Sequence, residues 1–483
     1  MRQAEHSNSQ NSNETSIRFD QSQKIKDVLS FVQSKYVDTI DSEIATDLAL
    51  DALLSNLDPY SEYIPSQYMH KYADQIQGKI RGIGIDLVEI DSQLVVSQVR
   101  SQSPAAIAGI SVGNYMLEIE NHAVIPFLTN PDSIEYFIEN YESDSILLKW
   151  KNHIQNQIQK EKIAIAELDE HPVTDVHIPI KEVLYFKLNQ LSKDSYREFM
   201  KTVERYFESG QCKHLIIDLR GNTGGLIHEA AYILNQLISD KDVLMFKTSG
   251  IKTKSKEYKS TGKPFFNIEK IIVLVNQETA SAAELMAAAL QDLDRAIIIG
   301  TPTFGKSTVL EQFSLGDGSA IRLAVSRFYT YSGRSIQKNY KNSDEDYFLG
   351  QSGQKMDSIF YSLKKKKIVS RQGVIPDFVI PINQMKNAAQ DSLRELADYI
   401  IGKNFFHFNS LIKNNPDNIN TNEKLTQFIK SEIIIKTNSK GSSELEEECK
   451  YALASWFFSN ELEQRMRLLN DECLERAIKV LRN

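Results

Sequence analysis

Residues 271–308 read IIVLVNQETASAAELMAAALQDLDRAIIIGTPTFGKST, a stretch in which two apolar runs lie on either side of an alanine-rich segment. The run 271–275 is continuous, apolar and β-branched, so it predicts a buried strand. A small polar loop follows, and the alanine-rich segment from Ser281 predicts a helix. The run 296–299 predicts a second strand, which leads to Lys306. The stretch therefore places Ser281 and Lys306 next to turns where regular structure begins.

Ser281 lies at the start of the predicted helix. The first turn of a helix has unpaired backbone N–H groups and a partial positive charge, which suit an alkoxide or an oxyanion. Serine is also a leading N-cap residue, so a purely structural cap remains an alternative for this side chain. Ser281 alone does not decide between the two interpretations.

Lys306 belongs to a segment, 300–307, that fits the phosphate-binding pattern GxxxxGK[ST], and the run 215–218 resembles the strand that accompanies it. A phosphate loop has to open a helix, whereas residues 307–315 are β-branched and partly alternating. A hairpin turn signal at 316–318 follows, and 319–326 predicts another strand. The context thus disfavours nucleotide binding and places Lys306 at the entrance of a strand. A solvated surface cation is the other interpretation of a lone lysine here.

Five motifs occur in a fixed order along the chain: LIIDLRGNTGGLIHEA (215–230), VNQETASAAELMAAALQD (275–292), GTPTFGKS (300–307), YTYSGRSIQ (329–337) and GVIPD (373–377). In this order they resemble the C-terminal processing peptidases, also called tail-specific proteases, which are Ser/Lys endopeptidases. The likeness extends upstream to the helical segment 36–65 and covers most of the chain from about residue 27 to residue 381.

The resemblance implies that Ser281 is the nucleophile and that Lys306 is its base. Only a neutral lysine can accept the hydroxyl proton, and the pKa of free lysine, about 10.4, would have to fall to roughly 7 to 8. Burial beside Phe304 and the 296–299 strand is the expected cause of this shift. Paired with Ser281, the lysine is predicted to be catalytic.

The resemblance also implies an oxyanion hole formed by the amides of Gly225 and Ala282, with Gly224 in the same turn. The alternative for these glycines is that they only permit a tight turn. Three further residues match polar positions of the family's site and are predicted to support it: Glu284, Asp292 and Thr303. Ordinary solvation on an exposed helix face is the alternative for the two carboxylates.

The sequence departs from the family pattern at Leu310. The family commonly has a glutamine four residues after the lysine, whereas this chain has its glutamine at Gln312. Strand alternation places both positions on one face, so Gln312 is predicted to substitute for the missing side chain, or the orienting role is lost.

Residues 78–150 resemble a PDZ domain, through the Gly82-Ile83-Gly84-Ile85 turn and the run 103–119. Such a domain adds a peptide as an extra strand and holds its terminal carboxylate on successive backbone N–H groups. The apolar residues of this turn predict substrates with apolar C-termini. A β module that serves only for packing is the alternative.

Composition restricts the possible partners. The chain has 483 residues, 41% of them apolar, and a net charge of −8, which argues against a nucleic-acid partner. Three scattered cysteines indicate neither a disulfide framework nor a metal site, and the proposed chemistry needs no cofactor. The sequence contains no signal peptide and no run of 18 apolar residues, so it is predicted to be soluble as written. The resemblance alone implies the bacterial periplasm or cell envelope.

The predicted fold is a multidomain α/β (α+β) chain. Its parts are a disordered tail (1–20), an N-terminal helical segment (21–67), a β-sandwich-like PDZ domain (68–155), a mixed α/β crotonase-like protease core (156–383) and a helical C-terminal domain (384–483). The last of these is a possible homo-oligomer contact, the Asn-rich segment 414–422 is predicted to be a loop, and the lysines at 364–367 a solvated hairpin edge.

The predicted function is a serine endopeptidase that docks substrate tails in its PDZ domain and cleaves through an acyl-enzyme. The alternative is a peptide-binding PDZ scaffold whose protease core is silent or gated, an interpretation motivated by Leu310. A nucleotide hydrolase is the third and weakest interpretation.

Overall fold

The structure, a computed structural model, describes residues 21–69, 77–124, 134, 137–138, 141, 143–152, 156–169, 171–339, 358–370, 372–380, 384–412, 415–437, 443–458, 460–468 and 471–482. The predicted tail, 1–20, lies outside these ranges.

The helices are α1 (Gln21–Lys35), α2 (Ser42–Ser55), α3 (Pro104–Ile107), α4 (Ser195–Phe207), α5 (Ile227–Leu237), α6 (Ala282–Asp292), α7 (Gln384–Lys403), α8 (Phe405–Ile412), α9 (Asn418–Thr421), α10 (Glu423–Thr437), α11 (Ser443–Phe457), α12 (Asn460–Leu468) and α13 (Glu472–Arg482). The strands are β1 (Glu62–Ile64), β2 (Lys79–Gly82), β3 (Ile85–Ile90), β4 (Gln93–Val99), β5 (Tyr115–Ile119), β6 (His122–Ala123), β7 (Ser145–Lys151), β8 (Ile158–Ala164), β9 (Ala166–Asp169), β10 (Val173–Ile180), β11 (Glu182–Leu188), β12 (Cys212–Asp218), β13 (Lys241–Ser249), β14 (Lys256–Thr261), β15 (Ile271–Val275), β16 (Ala296–Gly300), β17 (Thr308–Ser314), β18 (Ala320–Thr330), β19 (Ser358–Tyr361), β20 (Lys367–Ser370) and β21 (Phe378–Val379).

The chain forms two compact units. The smaller unit combines the described residues up to Ser66 with residues 312–323, and the larger unit holds the rest. Within the smaller unit, Asp41 caps α2 by accepting the backbone N–H of Glu43 at 2.9 Å. Strand β1 pairs antiparallel with the first residues of β18, with Ile64 opposite Ala320. The segment predicted to be helical therefore also contains a strand, because its pairing partner lies far along the chain.

A six-stranded sheet forms the centre of the larger unit, in the order β10-β11-β12-β15-β16-β21. The neighbours from β11 to β21 are parallel, and β10 pairs antiparallel with β11 at one edge. Parallel sheets are covered on both faces, which explains why β15 is buried at all five residues.

Alternate residues of this sheet enter two separate apolar clusters. Val273 and its neighbours on one face pack against α4, α5 and α6. Leu274 and its neighbours on the other face pack against α13, which contributes Leu474 and Leu481. The core is thus a sheet between two helical layers, a mixed α/β architecture as predicted.

Strands β3 to β8 form a second six-stranded sheet, in the order β3-β4-β5-β7-β8, with β6 on β5. Strand β3 is an edge strand of this sheet. Val95 on β4 and Ile90 on β3 share an apolar cluster with the C-terminal helices, and the Gln98 side chain donates to Ser455 at 2.7 Å. One face of the sheet therefore packs on the helical segment.

The C-terminal helices follow the predicted periodicity, but one detail was wrong. The segment predicted to be a loop at 414–422 contains the short helix α9, whose Ile419 is completely buried. The Asn418 and Asn422 side chains donate to the carbonyls of Ile412 and Leu411 at the end of α8. These asparagines therefore cap a helix and do not mark an irregular loop. Among the helices of the described ranges, none combines the length and apolarity of a membrane span.

The lysines at 364–367 lie in the turn after β19 and at the first residue of β20, and all four are exposed. The prediction of a solvated hairpin edge is confirmed. Lys366 also forms an ion pair with Asp377.

Candidate active site

Three loops meet at the carboxyl edge of the central sheet. They follow the adjacent parallel strands β12, β15 and β16, and they contain residues 219–226, 276–281 and 301–307. The carboxyl ends of parallel strands are the usual place for a ligand site in an open α/β sheet. This arrangement brings the motifs of Ser281, Lys306 and Gly224-Gly225 to one edge.

Ser281 occupies the N-cap position of α6, as predicted, and its backbone lies at φ 53°, ψ −118°. A positive φ is uncommon for a residue with a side chain and costs of order 1–3 kcal/mol, which the surrounding structure has to offset. Such strain is typical of functional turns between a strand and a helix. The position thus fits a nucleophile as well as a cap.

Glu284, in the first turn of α6, is completely buried and holds the loops together. Its Oε2 accepts the backbone N–H of Ser281 at 2.9 Å and that of Lys306 at 2.8 Å. Its Oε1 accepts the backbone N–H of Gly305 at 2.7 Å and the hydroxyl of Thr303. Since one oxygen atom binds both backbone nitrogens, Ser281 and Lys306 are direct neighbours. The interpretation of Glu284 as a solvated helix residue was wrong.

Burial raises the pKa of the Glu284 carboxyl to about 7, although the hydrogen bonds from Thr303, Lys306, Gly305 and Ser281 all act to lower it. A desolvated carboxylate is costly, while several N–H donors favour its charged form. The group therefore changes its charge close to neutral pH.

Lys306 lies in an irregular segment two residues before β17 and is half-buried. A strand follows it, not a helix, so the structure confirms the strand entrance and does not provide the helix that a phosphate loop requires. The backbone N–H of Phe304 donates to the carbonyl of Thr279 at 3.1 Å, which ties the lysine loop to the serine loop.

Gly224 and Gly225 form the turn after β12, with φ values of 103° and 130°. A Cβ on Gly224 would lie 2.9 Å from the backbone nitrogen of Ala282, so this turn packs directly against the start of α6. The Gly225 amide has no hydrogen-bond partner among the described residues, whereas its neighbours Gly224 and Leu226 are bonded to Leu191.

Asn222, which the sequence left without a role, fixes this turn. It is completely buried, its Oδ1 accepts the Gly224 N–H at 2.8 Å, and its carbonyl accepts the N–H of Ala280, the residue before the serine. Its place between Arg220 and Gly224 in the LRGNTGG motif was the available signal.

Asp292, at the end of α6, is also completely buried. The interpretation of this carboxylate as a solvated residue on an exposed helix face was therefore wrong. It pairs with the buried Arg334 at 2.9 Å and accepts the Thr330 hydroxyl and the N–H of Ser332. Arg334 also donates to Gln291 at 2.7 Å. Asp292 thus anchors the 330–334 segment and makes no bond to the serine or lysine loops.

Gln312 lies on β17, after the lysine loop. Its side chain is exposed and belongs to the smaller compact unit, while Leu310 is partly buried. Its predicted orienting role remains a prediction.

The Gly82-Ile83-Gly84-Ile85 turn lines a cavity of about 70 Å³, with Ile134, Ile138 and Leu168 on its apolar side. A Cβ on Gly84, at φ 81°, would lie 2.4 Å from the Cβ of Ser103, so only glycine fits. The carbonyls of Ile83 and Gly84 accept N–H groups from Ala105 and Arg100. The Gly84 amide has no partner in the part of the chain that the structure describes.

Known proteins are similar to this chain in the region that contains the three loops. Residues 182–347, which contain all three loops, match the family model of peptidase family S41. This part of the chain is therefore similar to a family of serine-type peptidases.

Two curated relatives illustrate the similarity. The carboxy-terminal processing protease CtpA of Bacillus subtilis is 27% identical over 331 residues, which are 65% of this chain and 66% of that protein. The carboxy-terminal-processing protease of Bartonella bacilliformis is 28% identical over 328 residues, 64% of this chain and 71% of that protein. The match thus spans about two thirds of their length. A solved photosystem II D1 C-terminal processing protease aligns with a TM-score of 0.42 and 20% identity, over 75% of this chain and 87% of that chain.

Proposed function

We propose that this chain is a serine endopeptidase that cleaves proteins through Ser281 and Lys306 and recognises their C-terminal tails in a PDZ domain. One observation carries the catalytic part. A single carboxylate oxygen of Glu284 accepts the backbone N–H of both residues, so it holds nucleophile and base in one fixed arrangement.

The reaction follows from the roles of the two side chains. Neutral Lys306 accepts the Ser281 hydroxyl proton while Oγ attacks the scissile carbonyl carbon, which forms a tetrahedral intermediate. Its collapse breaks the C–N bond, Lys306 returns the proton to the leaving amine, and an acyl-Ser281 remains. Water then attacks this ester, Lys306 again accepts and returns a proton, and the acid product leaves.

Two backbone amides support the proposed oxyanion hole. The Gly225 N–H is unpaired among the described residues, and Ala282 is the first residue of α6, whose N–H has no partner within the helix. The Gly224 backbone packs against Ser281 and Ala282, so the turn that carries the first donor lies next to the residue that carries the second. Such preorganised donors are typically worth about 3–4 kcal/mol of transition-state stabilisation each.

The edge strand β3 and the neighbouring cavity support tail docking. An incoming peptide can pair along the open edge of β3, as in strand addition. Its terminal carboxylate would meet the unpaired amide of Gly84, and its last side chain would enter the cavity between Ile83, Ile134 and Ile138. The same lining also includes three charged residues, Arg81, Asp86 and Arg100. Its apolar part favours substrates that end in apolar residues.

The test is proteolysis of an unstructured protein in two versions, one ending in apolar residues and one ending in acidic residues. Wild type is expected to cleave the first faster, and Ser281→Ala and Lys306→Ala are expected to abolish cleavage. Ser239→Ala and Lys201→Ala, at exposed positions, are the matched controls and should cleave normally. Equal turnover by wild type and Ser281→Ala would refute the catalytic assignment.

The scaffold alternative predicts a different result. Binding of tail peptides without any cleavage, together with no acylation of Ser281 by an active-site probe, would favour a silent core. By resemblance we place the enzyme in the bacterial periplasm or cell envelope.

A further inference from the structure

A second lysine lies beside the catalytic loop. Lys338 is 9% exposed, and its backbone N–H donates to the carbonyl of Gly305 at 2.8 Å. A Cβ on Gly305 would lie 2.9 Å from the Cβ of Lys338. Gly305 directly precedes Lys306, so the two lysines belong to segments in direct contact.

Gln337 holds these segments in place. Its Oε1 accepts the backbone N–H of Ser307 at 2.9 Å, and its Nε2 donates to the Gly305 carbonyl at 3.3 Å. The residues before and after Lys306 are therefore both bonded to one side chain. With Glu284 on the Lys306 N–H, the lysine backbone is fixed from two directions.

The ammonium of Lys338 lies near an aromatic ring and is influenced by the Glu284 carboxylate. Its Nζ is 5.8 Å from the centre of the Phe304 ring. Burial lowers the pKa of Lys338, and the charge of Glu284 opposes that change. The other nearby cation, Arg334, faces Asp292 and Gln291 instead. Among the described residues, Glu284 on α6 is the carboxylate whose charge acts on Lys338, and Lys306 lies in the loop that the Lys338 backbone contacts.

We propose that Lys338 is a positioning residue of the catalytic pair, whose ammonium balances the buried Glu284 carboxylate and disfavours a second positive charge on Lys306. The inference rests on the proposed function, because it assigns the base role to Lys306. It adds a reason for the neutral state of that base, which half-burial alone does not provide.

The physical reason is the balance of charges in a space that excludes much of the water. An ionised Glu284 beside Lys306 would favour the ammonium form of Lys306, which cannot accept a proton. A cation next to that carboxylate offsets its effect, and a neighbouring cation is a known way to make a catalytic lysine neutral. The Lys338 backbone contacts the Gly305–Ser307 segment, and the charge of Glu284 raises the pKa of Lys338 against the effect of burial.

The test is the pH dependence of kcat/KM for a tail peptide, measured from pH 6 to pH 10 for wild type, Lys338→Met and Lys338→Arg. In wild type, kcat/KM should rise with pH as Lys306 loses its proton. In Lys338→Met, the midpoint should move up by about one to two pH units, the effect of one charge several ångströms away in a protein interior. Activity near pH 7.5 then falls about ten- to a hundredfold and recovers above pH 9.

Two variants separate charge from packing. Lys338→Arg keeps the positive charge and should keep the wild-type midpoint. Lys201→Met removes a lysine from the exposed face of α4 and should leave the profile unchanged. A merely structural role for Lys338 predicts activity loss at every pH without recovery in alkali.

The outcomes for the two proposals are distinct. If wild type cleaves through Ser281 and Lys306 but the profile of Lys338→Met coincides with that of wild type, the inference about Lys338 is wrong and the proposed function stands. A midpoint in Lys338→Arg that moves as far as in Lys338→Met also overturns it. If Lys306→Ala retains full activity, both proposals fail together.

Discussion

The substitution Glu284→Gln should lower the stability of the protein at acidic pH and stop lowering it at alkaline pH. Burial raises the Glu284 pKa from its usual 4.5 to about 7, so between these values the folded protein retains a proton that the unfolded chain loses. Stability therefore falls as pH rises through this window, by about 3 kcal/mol in total. Glutamine does not titrate, so the variant avoids this loss.

At pH 5 the variant should instead be the less stable protein. The glutamine amide has only one acceptor oxygen, whereas the carboxyl oxygens serve Ser281, Lys306, Gly305 and Thr303. If the NH₂ group faces Thr303, the hydroxyl can reverse its role, but the Gly305 N–H is left without its acceptor. A buried donor of this kind costs about 1–3 kcal/mol.

The assay is urea unfolding of wild type and Glu284→Gln at pH 5, 6, 7 and 8. We expect the variant to be less stable by about 1–3 kcal/mol at pH 5 and at least as stable as wild type at pH 8. Glu278→Gln, at an exposed position of the loop before α6, is the control and should show no such change. A stability difference for Glu284→Gln that stays constant from pH 5 to pH 8 would refute the reasoning. Activity should fall about a hundredfold even at pH 8, because the loops lose their common anchor.

Three further outcomes follow from the contacts. Gly225→Ala should destabilise the core by about 3 kcal/mol and abolish proteolysis, measured by urea unfolding and peptide hydrolysis, because the new Cβ would lie 2.3 Å from the Leu191 carbonyl oxygen at φ 130°. Arg220→Ala should cost about 3 kcal/mol in urea unfolding, since it leaves Asp218 and Asp471 without their shared cation, whereas the exposed Arg197→Ala should cost under about 1 kcal/mol. Gly84→Ala should weaken tail-peptide binding at least tenfold in a fluorescence titration while hydrolysis of a short peptide without a recognised tail continues; equal binding would exclude Gly84 from the groove.

Local patterns in the sequence were sufficient to predict the helix and strands around the site. The apolar run 271–275 and the alanine-rich segment after Ser281 are β15 and α6, and Lys306 precedes a strand. The burial of Glu284 and Asp292 was not predictable from helical spacing. Every residue of α6 is buried, so the helix has no polar face against which a carboxylate could be judged.

Contacts between distant segments were the part that the sequence did not reveal. Strand β1 forms only because residues 320–322 pair with it, and α13 covers a sheet face whose residues precede it by hundreds of positions. Gln337 and Lys338 lie in or beside a recognised motif, yet their role depends on which loop they contact. No short-range period encodes such a contact.

The contacts also change the significance of Leu310. A glutamine at that position was expected to orient the lysine, and its absence motivated a silent core. In this structure the lysine segment is held through its backbone, by Glu284 at the Lys306 N–H and by Gln337 on both sides of it. A backbone held in this way limits the directions that the Lys306 side chain can take, whichever residue occupies position 310. The Lys306 backbone is therefore held by groups outside β17, and the departure from the family pattern does not by itself argue for an inactive enzyme.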